Sequence, residues 1–547
     1  MNTIMNKAWL LCLALPMVAK AGVMACDPST FHAPGLTIKS AQWQSPSGDT
    51  LVENCRVEGV LDPYKGMDGR NYAIGFELRL PKNWHHDFAY QFNGGNDGIV
   101  VPALGDASSL IPKQYALNRG MAVVSSNGGH DGQEFKDMGL AGGSGFGWDA
   151  RARSLYGYKA VELLYPVANQ MITQFYGQAA KYRYGIGASN GGRMAMVAAS
   201  RFPNFFNGIL VGYPGFNLPK AAIQHAWDIQ HLHAVNSDLK QSLTPKDMSL
   251  VSHYILKQCD DLDGLKDGLI FNPKQCQKLV NLQDLVCHAG QKDCLSQSKV
   301  NALVAIHNGP HNSQGKALYS RWYYDAGMSS NNWRFWKVES PIPAWGYNPL
   351  IAVMGASSLA QIFTTPPTHV KGTPKALVDY LLKFNFDTDA PKIYAKTKAF
   401  PESSMEFMTP PDAADPTMSA FKKAGGKMII YQGDSDPVFS IVDTVHWYNK
   451  LNQNQNGKAR DFVTFYEVPG MPHGKGGPSL DQFDVLSPLI AWVEKGKSPD
   501  RVISQARADN PEVPKPLLKA KRPLCPYPTI AVYEGGNKDS ASSFICH

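Results

Sequence analysis

The chain has 547 residues, of which 44% are apolar and 18% charged, a balance that excludes a disordered or low-complexity protein. Its net charge of +7 is spread along the chain without a long Lys/Arg run, which excludes a basic tail for nucleic acid. The length exceeds what one simple core fills, so a large catalytic domain with an inserted or second domain is expected.

The N-terminus, MNTIMNKAWLLCLALPMVAKAG, has Lys7, then an apolar run, then the cleavage pattern Ala19-Lys20-Ala21. Residues 1–21 are read as a signal peptide, so the protein is expected to be exported, periplasmic or secreted. A lipoprotein signal is the rival, with Val23-Met24-Ala25 before Cys26. No later segment is apolar enough to span a bilayer, and no membrane partner is expected. Of nine cysteines, Cys12 leaves with the signal. The others form sequential neighbours, and an even set in an exported protein suggests the pairs Cys26–Cys55, Cys259–Cys276, Cys287–Cys294 and Cys525–Cys546. Lipidating Cys26 would orphan Cys55. Free buried thiols are the alternative; no C-x-x-C pair or Cys/His cluster suggests zinc.

Strand patterns follow at 72–80 (YAIGFELRL), at 88–93 (FAYQFN) running into Gly94-Gly95, and at 121–126 (MAVVSS). Residues 156–177 have helical spacing, with Ala160, Leu163, Leu164 and Val167 on one side. A strand at 182–186, a helix at 192–200 and a strand at 208–213 come next. This alternation predicts an α/β fold with a mainly parallel sheet. From about 215 to 410 the helical patches are short, and Pro, Asn and aromatics are common, with Trp322, Trp333, Trp336 and Trp345 close together. That stretch is read as a lid-like domain inserted into a sheet domain made of residues 22–214 and 411–547. Strands return at 427–432 and 461–468, a closing helix is expected at 482–495, and the tail reads as loop.

Between the strand at 182–186 and the helix at 192–200 lies Gly187-Ala188-Ser189-Asn190-Gly191, a G-x-S-x-G pattern. In a nucleophile elbow a strand turns sharply into a helix and exposes the serine, and a Cβ at either glycine would clash. A phosphate loop lacks its Lys-Ser/Thr here, and a dinucleotide loop lacks its acidic partner. A serine nucleophile needs a base, and the base needs an orienting carboxylate. Asp436 in Tyr431-Gln432-Gly433-Asp434-Ser435-Asp436 is the expected acid, with Asp434 as the alternative. His473 in Met471-Pro472-His473-Gly474 is the expected base; His446 competes but sits in a helical pattern that suggests packing. The oxyanion should be held by the amides of Asn190 and of the glycine turn Asn93–Gly98, with Gly95 as donor.

Residues 259–276, CDDLDGLKDGLIFNPKQC, crowd Asp260, Asp263 and Asp267 into a glycine-bearing loop. Carboxylates this close repel unless a cation neutralises them, and hard oxygens suit Ca²⁺. A solvated acidic turn is the plainer alternative.

Taken together, these segments resemble the tannase/feruloyl esterase family, which includes mono(hydroxyethyl) terephthalate hydrolase. The likeness runs from about residue 26 to the C-terminus. It is carried by FNGGNDG, GASNGGRMA, RFPNFFNGILVG, the acidic loop, YQGDSDP, MPHG and the tail LCPYPTIAVYEG. It implies an α/β-hydrolase fold with a large inserted lid. It also implies the triad Ser189, Asp436 and His473, and structural Ca²⁺ on Asp260, Asp263 and Asp267 with the carbonyls of Leu265 and Leu269. It supports the four sequential disulfides. The family usually has a cysteine before the serine and another after the histidine, tying the two loops together; here these are Ala188 and Gly474. A more mobile His473 loop is therefore expected. The implied substrate is a small-molecule ester of an aromatic acid: hydroxycinnamic, gallic or terephthalic. A monomer is expected. An aliphatic polyester or hydroxyalkanoate hydrolase, a peptidase, and a non-catalytic calcium-stabilised binding protein are the alternatives.

Overall fold

The computed structural model describes residues 24–106 and 111–547. The signal-peptide reading of residues 1–21 lies outside the described residues. Nine strands form one sheet in the order β1-β2-β3-β5-β4-β6-β7-β8-β9. They are β1 (Leu36–Gln44), β2 (Asn54–Lys65), β3 (Asn71–Pro81), β4 (Asp87–Phe92), β5 (Ala122–Ser126), β6 (Tyr182–Ala188), β7 (Gly208–Gly212), β8 (Lys427–Gly433) and β9 (Val463–Val468). The first three run antiparallel to their neighbours, and β5, β4, β6, β7, β8 and β9 run parallel. The parallel strands are short, apolar and buried, as a sheet covered on both faces requires.

Helices α1 (Ala160–Tyr176), α2 (Asn190–Arg201), α3 (Leu218–Val235), α4 (Pro245–Cys259), α5 (Ile441–Asn454) and α6 (Leu486–Lys495) are the longer ones used below. One apolar cluster joins the sheet to α1, α2 and α5 through Leu164, Ile172, Val211, Ile430 and Leu451. Another covers the opposite side of the parallel strands with Leu210, Ile429, Leu486 and Trp492.

After β7 the chain leaves the sheet and returns at β8, and the residues between add no strand to it. They build their own core around Ile223, Leu232, Val251, Ile255 and Leu359. The helices here are longer than the sequence suggested: α3 has 18 residues and α4 has 15. α4 is closed at its start by a capping box, in which the Thr244 side chain accepts from the Asp247 amide and the Asp247 carboxylate accepts from the Thr244 amide. The tail is more ordered than expected. Two hairpins, Val502–Gln505 with Lys521–Leu524 and Ala531–Tyr533 with Phe544–Cys546, lie near its disulfide. All four expected disulfides are formed, with Cα–Cα distances of 4.8–5.7 Å.

Candidate active site

β6 ends at Ala188 and α2 begins at Asn190, so Ser189 alone makes the turn. Its backbone sits at φ 62°, ψ −126°, a strained region for a residue with a Cβ. The flanking glycines explain how the turn closes. A Cβ on Gly187 would lie 2.3 Å from the Gly191 carbonyl oxygen, and one on Gly191 would lie 2.2 Å from that of Phe92. Only hydrogen fits at either position.

Three loops at the C-terminal ends of β6, β8 and β9 bring the expected triad together. The Ser189 hydroxyl lies 2.8 Å from His473 Nε2. His473 Nδ1 lies 3.0 and 3.1 Å from the two carboxylate oxygens of Asp436. With Nδ1–H donated to Asp436, Nε2 is left to accept the serine proton. Asp436 is fixed in turn: its Oδ1 also accepts the amides of Val438 (2.8 Å) and Phe439 (3.1 Å).

Asp434 does not reach the histidine. Its two carboxylate oxygens are buried without a hydrogen-bond partner, and burial next to Glu467 and Asp325 pushes its pKa far above the ordinary carboxylate range. His446 lies on the exposed side of α5, not packed as its pattern suggested.

Asn190 opens α2, so its backbone N–H belongs to the first helical turn, where amides have no intrahelical acceptor. The Asn190 side chain is held from below. Its Oδ1 accepts from Arg193 Nε at 2.6 Å, and Arg193, itself buried, donates to the carbonyls of Tyr156, Gly157 and Met408. The turn after β4 faces Ser189. A Cβ on Gly94 would stand 3.8 Å from the Ser189 Cβ, and the Gly95 carbonyl is pinned by the Tyr156 hydroxyl at 3.0 Å. Gly95 and Asn190 thus border one cavity with Ser189, of about 340 Å³.

The walls of that cavity come from the segment between β7 and β8 and from the loop after Asp436: His225, Trp336, Met354, Phe363 and Phe439. Of the four clustered tryptophans, Trp336 lines it, while Trp322 and Trp333 are buried under Lys337. Tyr213, Trp336 and Phe439 meet the His473 ring edge-on, with centroids 4.8–5.3 Å apart. Asn332 Nδ2 donates to the His473 carbonyl at 3.0 Å. Apart from that of Phe439, these contacts were not legible in the sequence, because they join segments more than 100 residues apart.

The acidic loop is closed by the Cys259–Cys276 disulfide. Asp260 Oδ1 accepts the amides of Asp267 (3.1 Å) and Gly268 (2.8 Å), and Asp263 Oδ1 accepts that of Leu265 (3.1 Å). Leu265 and Leu269 flank these carboxylates in the same loop. Burial, reinforced by the neighbouring Asp267 and Asp260 charges, raises the Asp263 pKa to about 7, and burial with the Asp267 and Asp261 charges raises that of Asp260. Such mutual repulsion is what a hard divalent cation relieves, so the donor chemistry fits Ca²⁺. Among the described residues no three His, Cys, Asp or Glu groups are placed to hold a metal. Arg522 already pairs with Asp267, its Nε at 3.1 Å from Oδ2.

A sequence model described as "Tannase and feruloyl esterase" matches residues 55–547. A mono(2-hydroxyethyl) terephthalate hydrolase from Piscinibacter sakaiensis is 36% identical over 540 residues, covering 93% of this chain and 88% of its own. Feruloyl esterase B from Aspergillus oryzae superposes with a TM-score of 0.74 at 21% identity, covering 95% of this chain and 99% of its own. Tannin acyl hydrolase from Aspergillus niger gives 0.65 at 19% identity, covering 96% and 94%. The architecture is that of the α/β-hydrolases.

Proposed function

The chain belongs to the tannase and feruloyl esterase family and is a carboxylic ester hydrolase, and from that premise we propose that it cleaves esters of aromatic acids through an acyl-enzyme on Ser189. The observation that carries this reading is the unbroken hydrogen-bond chain Ser189–His473–Asp436, opening on a cavity walled by Trp336, Phe363 and Phe439. Aromatic walls suit a flat acyl ring better than an aliphatic chain.

In the proposed reaction Ser189 Oγ attacks the ester carbonyl while His473 Nε2 takes its proton. The negative oxygen of the tetrahedral intermediate is held by the backbone N–H groups of Asn190 and Gly95; losing one such donor costs about 100–1000-fold. His473 then protonates the departing alcohol, and Asp436 steadies the imidazolium without taking a proton. A water molecule, deprotonated by His473, attacks the acyl-enzyme and frees the acid. The acid is hydroxycinnamic, gallic or terephthalic in type.

Calcium on Asp260, Asp263, Asp267 and the carbonyls of Leu265 and Leu269 is part of the same proposal, as a structural ion that neutralises the loop. A chelator should then lower the melting temperature by several degrees, with restoration by Ca²⁺; an unchanged melting curve would leave Arg522 and Lys266 as the counter-charges of the loop. Export to an oxidising compartment is supported by the pairing of all eight described cysteines. The test of the activity is hydrolysis of methyl ferulate, methyl gallate, a terephthalate half-ester and a hydroxybutyrate dimer, with Ser189→Ala alongside. Turnover of an aromatic ester that is lost in the variant is expected. Activity confined to the hydroxybutyrate dimer would overturn the aromatic reading.

A further inference from the structure

α3 carries a histidine that the proposed mechanism does not use. His225 is buried, and its side chain lines the same cavity as Ser189 and His473. Neither ring nitrogen has a hydrogen-bond partner in the structure. Buried polar groups are nearly always paired, so an open one in a ligand cavity calls for a ligand atom. The ring is neutral: burial lowers its pKa to about 3, and the nearby Lys337 ammonium acts in the same direction. Lys337 is itself tied to Asp228, one helical turn beyond His225, and does not reach the cavity. A neutral imidazole has one donor nitrogen and one acceptor nitrogen.

The surroundings indicate which nitrogen is which. A Cβ on Gly355 would stand 2.3 Å from His225 Nδ1, so that nitrogen faces backbone. With the proton on Nδ1, beside the Gly355 backbone, the Nε2 lone pair is left as the acceptor. The other polar atoms nearby are mostly occupied: Asn96 and Ser358 bond each other at 2.9 Å, and Asn96 also holds Ser144. Among the described residues lining the cavity there is no Lys, Arg, Asp or Glu.

We propose that His225 is a specificity residue of this site, accepting a hydrogen bond from a hydroxyl on the acyl ring and disfavouring acids that carry a second carboxylate. The proposal rests on the aromatic-ester reading above and sharpens it. A phenolic hydroxyl supplies the donor that the Nε2 lone pair lacks. A carboxylate would meet that lone pair instead, in a pocket with no cation to neutralise it, and a buried unpaired charge is strongly disfavoured. A terephthalate half-ester is thereby predicted to be a poor substrate, although it shares the flat ring.

The test compares kcat/KM for methyl 4-hydroxycinnamate, methyl cinnamate and monomethyl terephthalate in the wild type, His225→Leu and His225→Gln. The wild type should favour the hydroxylated ester over methyl cinnamate by roughly tenfold or more. In His225→Leu that ratio should fall toward one, and His225→Gln, which keeps an acceptor, should recover part of it. Monomethyl terephthalate should be the poorest of the three in the wild type. A wild-type ratio near one, a ratio unchanged in His225→Leu, or a preference for monomethyl terephthalate would each overturn the assignment. The wild-type comparison stands even if a variant folds poorly. A fluorophosphonate that labels Ser189 separates the two failures. Labelling with ester turnover but no hydroxyl preference removes only the His225 assignment. Silence on all three esters removes the aromatic-ester reading and this proposal with it.

Discussion

At the scale of single residues, the site turns on a strained serine and on which of two aspartates meets the histidine. The five residues GASNG carry their own explanation, because the clashes that forbid a Cβ at Gly187 and Gly191 are local and follow from the turn. That is why the serine was legible in the sequence. The choice between Asp434 and Asp436 was less so: both lie in one short loop, and only the fold shows that Asp436 receives His473 Nδ1 while Asp434 points into an acidic interior. Asp436→Asn should therefore lower kcat by about 10⁴-fold, because an amide no longer holds the imidazole in the required tautomer. Steady-state kinetics check this, and a loss below tenfold would mean that another group orients the base. His225 was not legible at all. A histidine in the middle of a helix has no sequence signal, and its role depends on a cavity assembled from segments far apart in the chain.

At the scale of elements, the His473 loop was expected to be more mobile without the cysteine pair that the family resemblance implies at Ala188 and Gly474. The structure shows other constraints: three edge-on rings, each contributing about 1 kcal/mol, and the Asn332 hydrogen bond to the His473 carbonyl. Gly474 has φ +94°, where a side chain is strained, so restoring a cysteine there would carry its own cost. Asn332→Ala should loosen the loop and lower kcat by about tenfold with KM little changed, since Asn332 does not line the cavity. An unchanged kcat would show that the rings alone suffice. The disulfides give a second prediction. Cys26–Cys55 closes a separation of 29 residues and Cys287–Cys294 one of 7, so in the chain-entropy account removing the first costs about 3.5 kcal/mol and the second about 2.5. Thermal shift of the two double-serine variants should follow that order; the reverse order would point to native packing as the larger effect. The parallel strands were read nearly to the residue because each is a short buried apolar run. β1 and β2 were missed for the opposite reason: β1 is a half-exposed edge strand, and β2 is interrupted near Asp62-Pro63, where the pairing shifts register.

For the whole molecule, the sheet with an insertion between β7 and β8 was legible from the return of strand–helix alternation near residue 427. The length of the insertion's helices was not, because their burial in a second core overrides weak local signals. The buried carboxyls of Asp434 and Glu467 make stability depend on pH. Burial raises both pKa values in the folded state, so above about pH 4.5 the fold holds protons that the unfolded chain releases. Their contribution to stability is then fully present below that pH and is lost as pH rises toward the folded pKa values, by up to about 1.4 kcal/mol per pH unit for each retained proton. Glu467→Gln should flatten the melting temperature between pH 5 and 8; a variant with the wild-type slope would place the dependence elsewhere.

The proposed reaction depends on a covalent acyl-enzyme between Ser189 and an aromatic acid. The most direct measurement is rapid quenching of the enzyme turning over methyl 4-hydroxycinnamate, followed by peptide mass spectrometry. A peptide carrying the acyl mass on Ser189, absent from Ser189→Ala, is expected. Turnover with no adduct on Ser189, surviving in that variant, would contradict the proposed reaction.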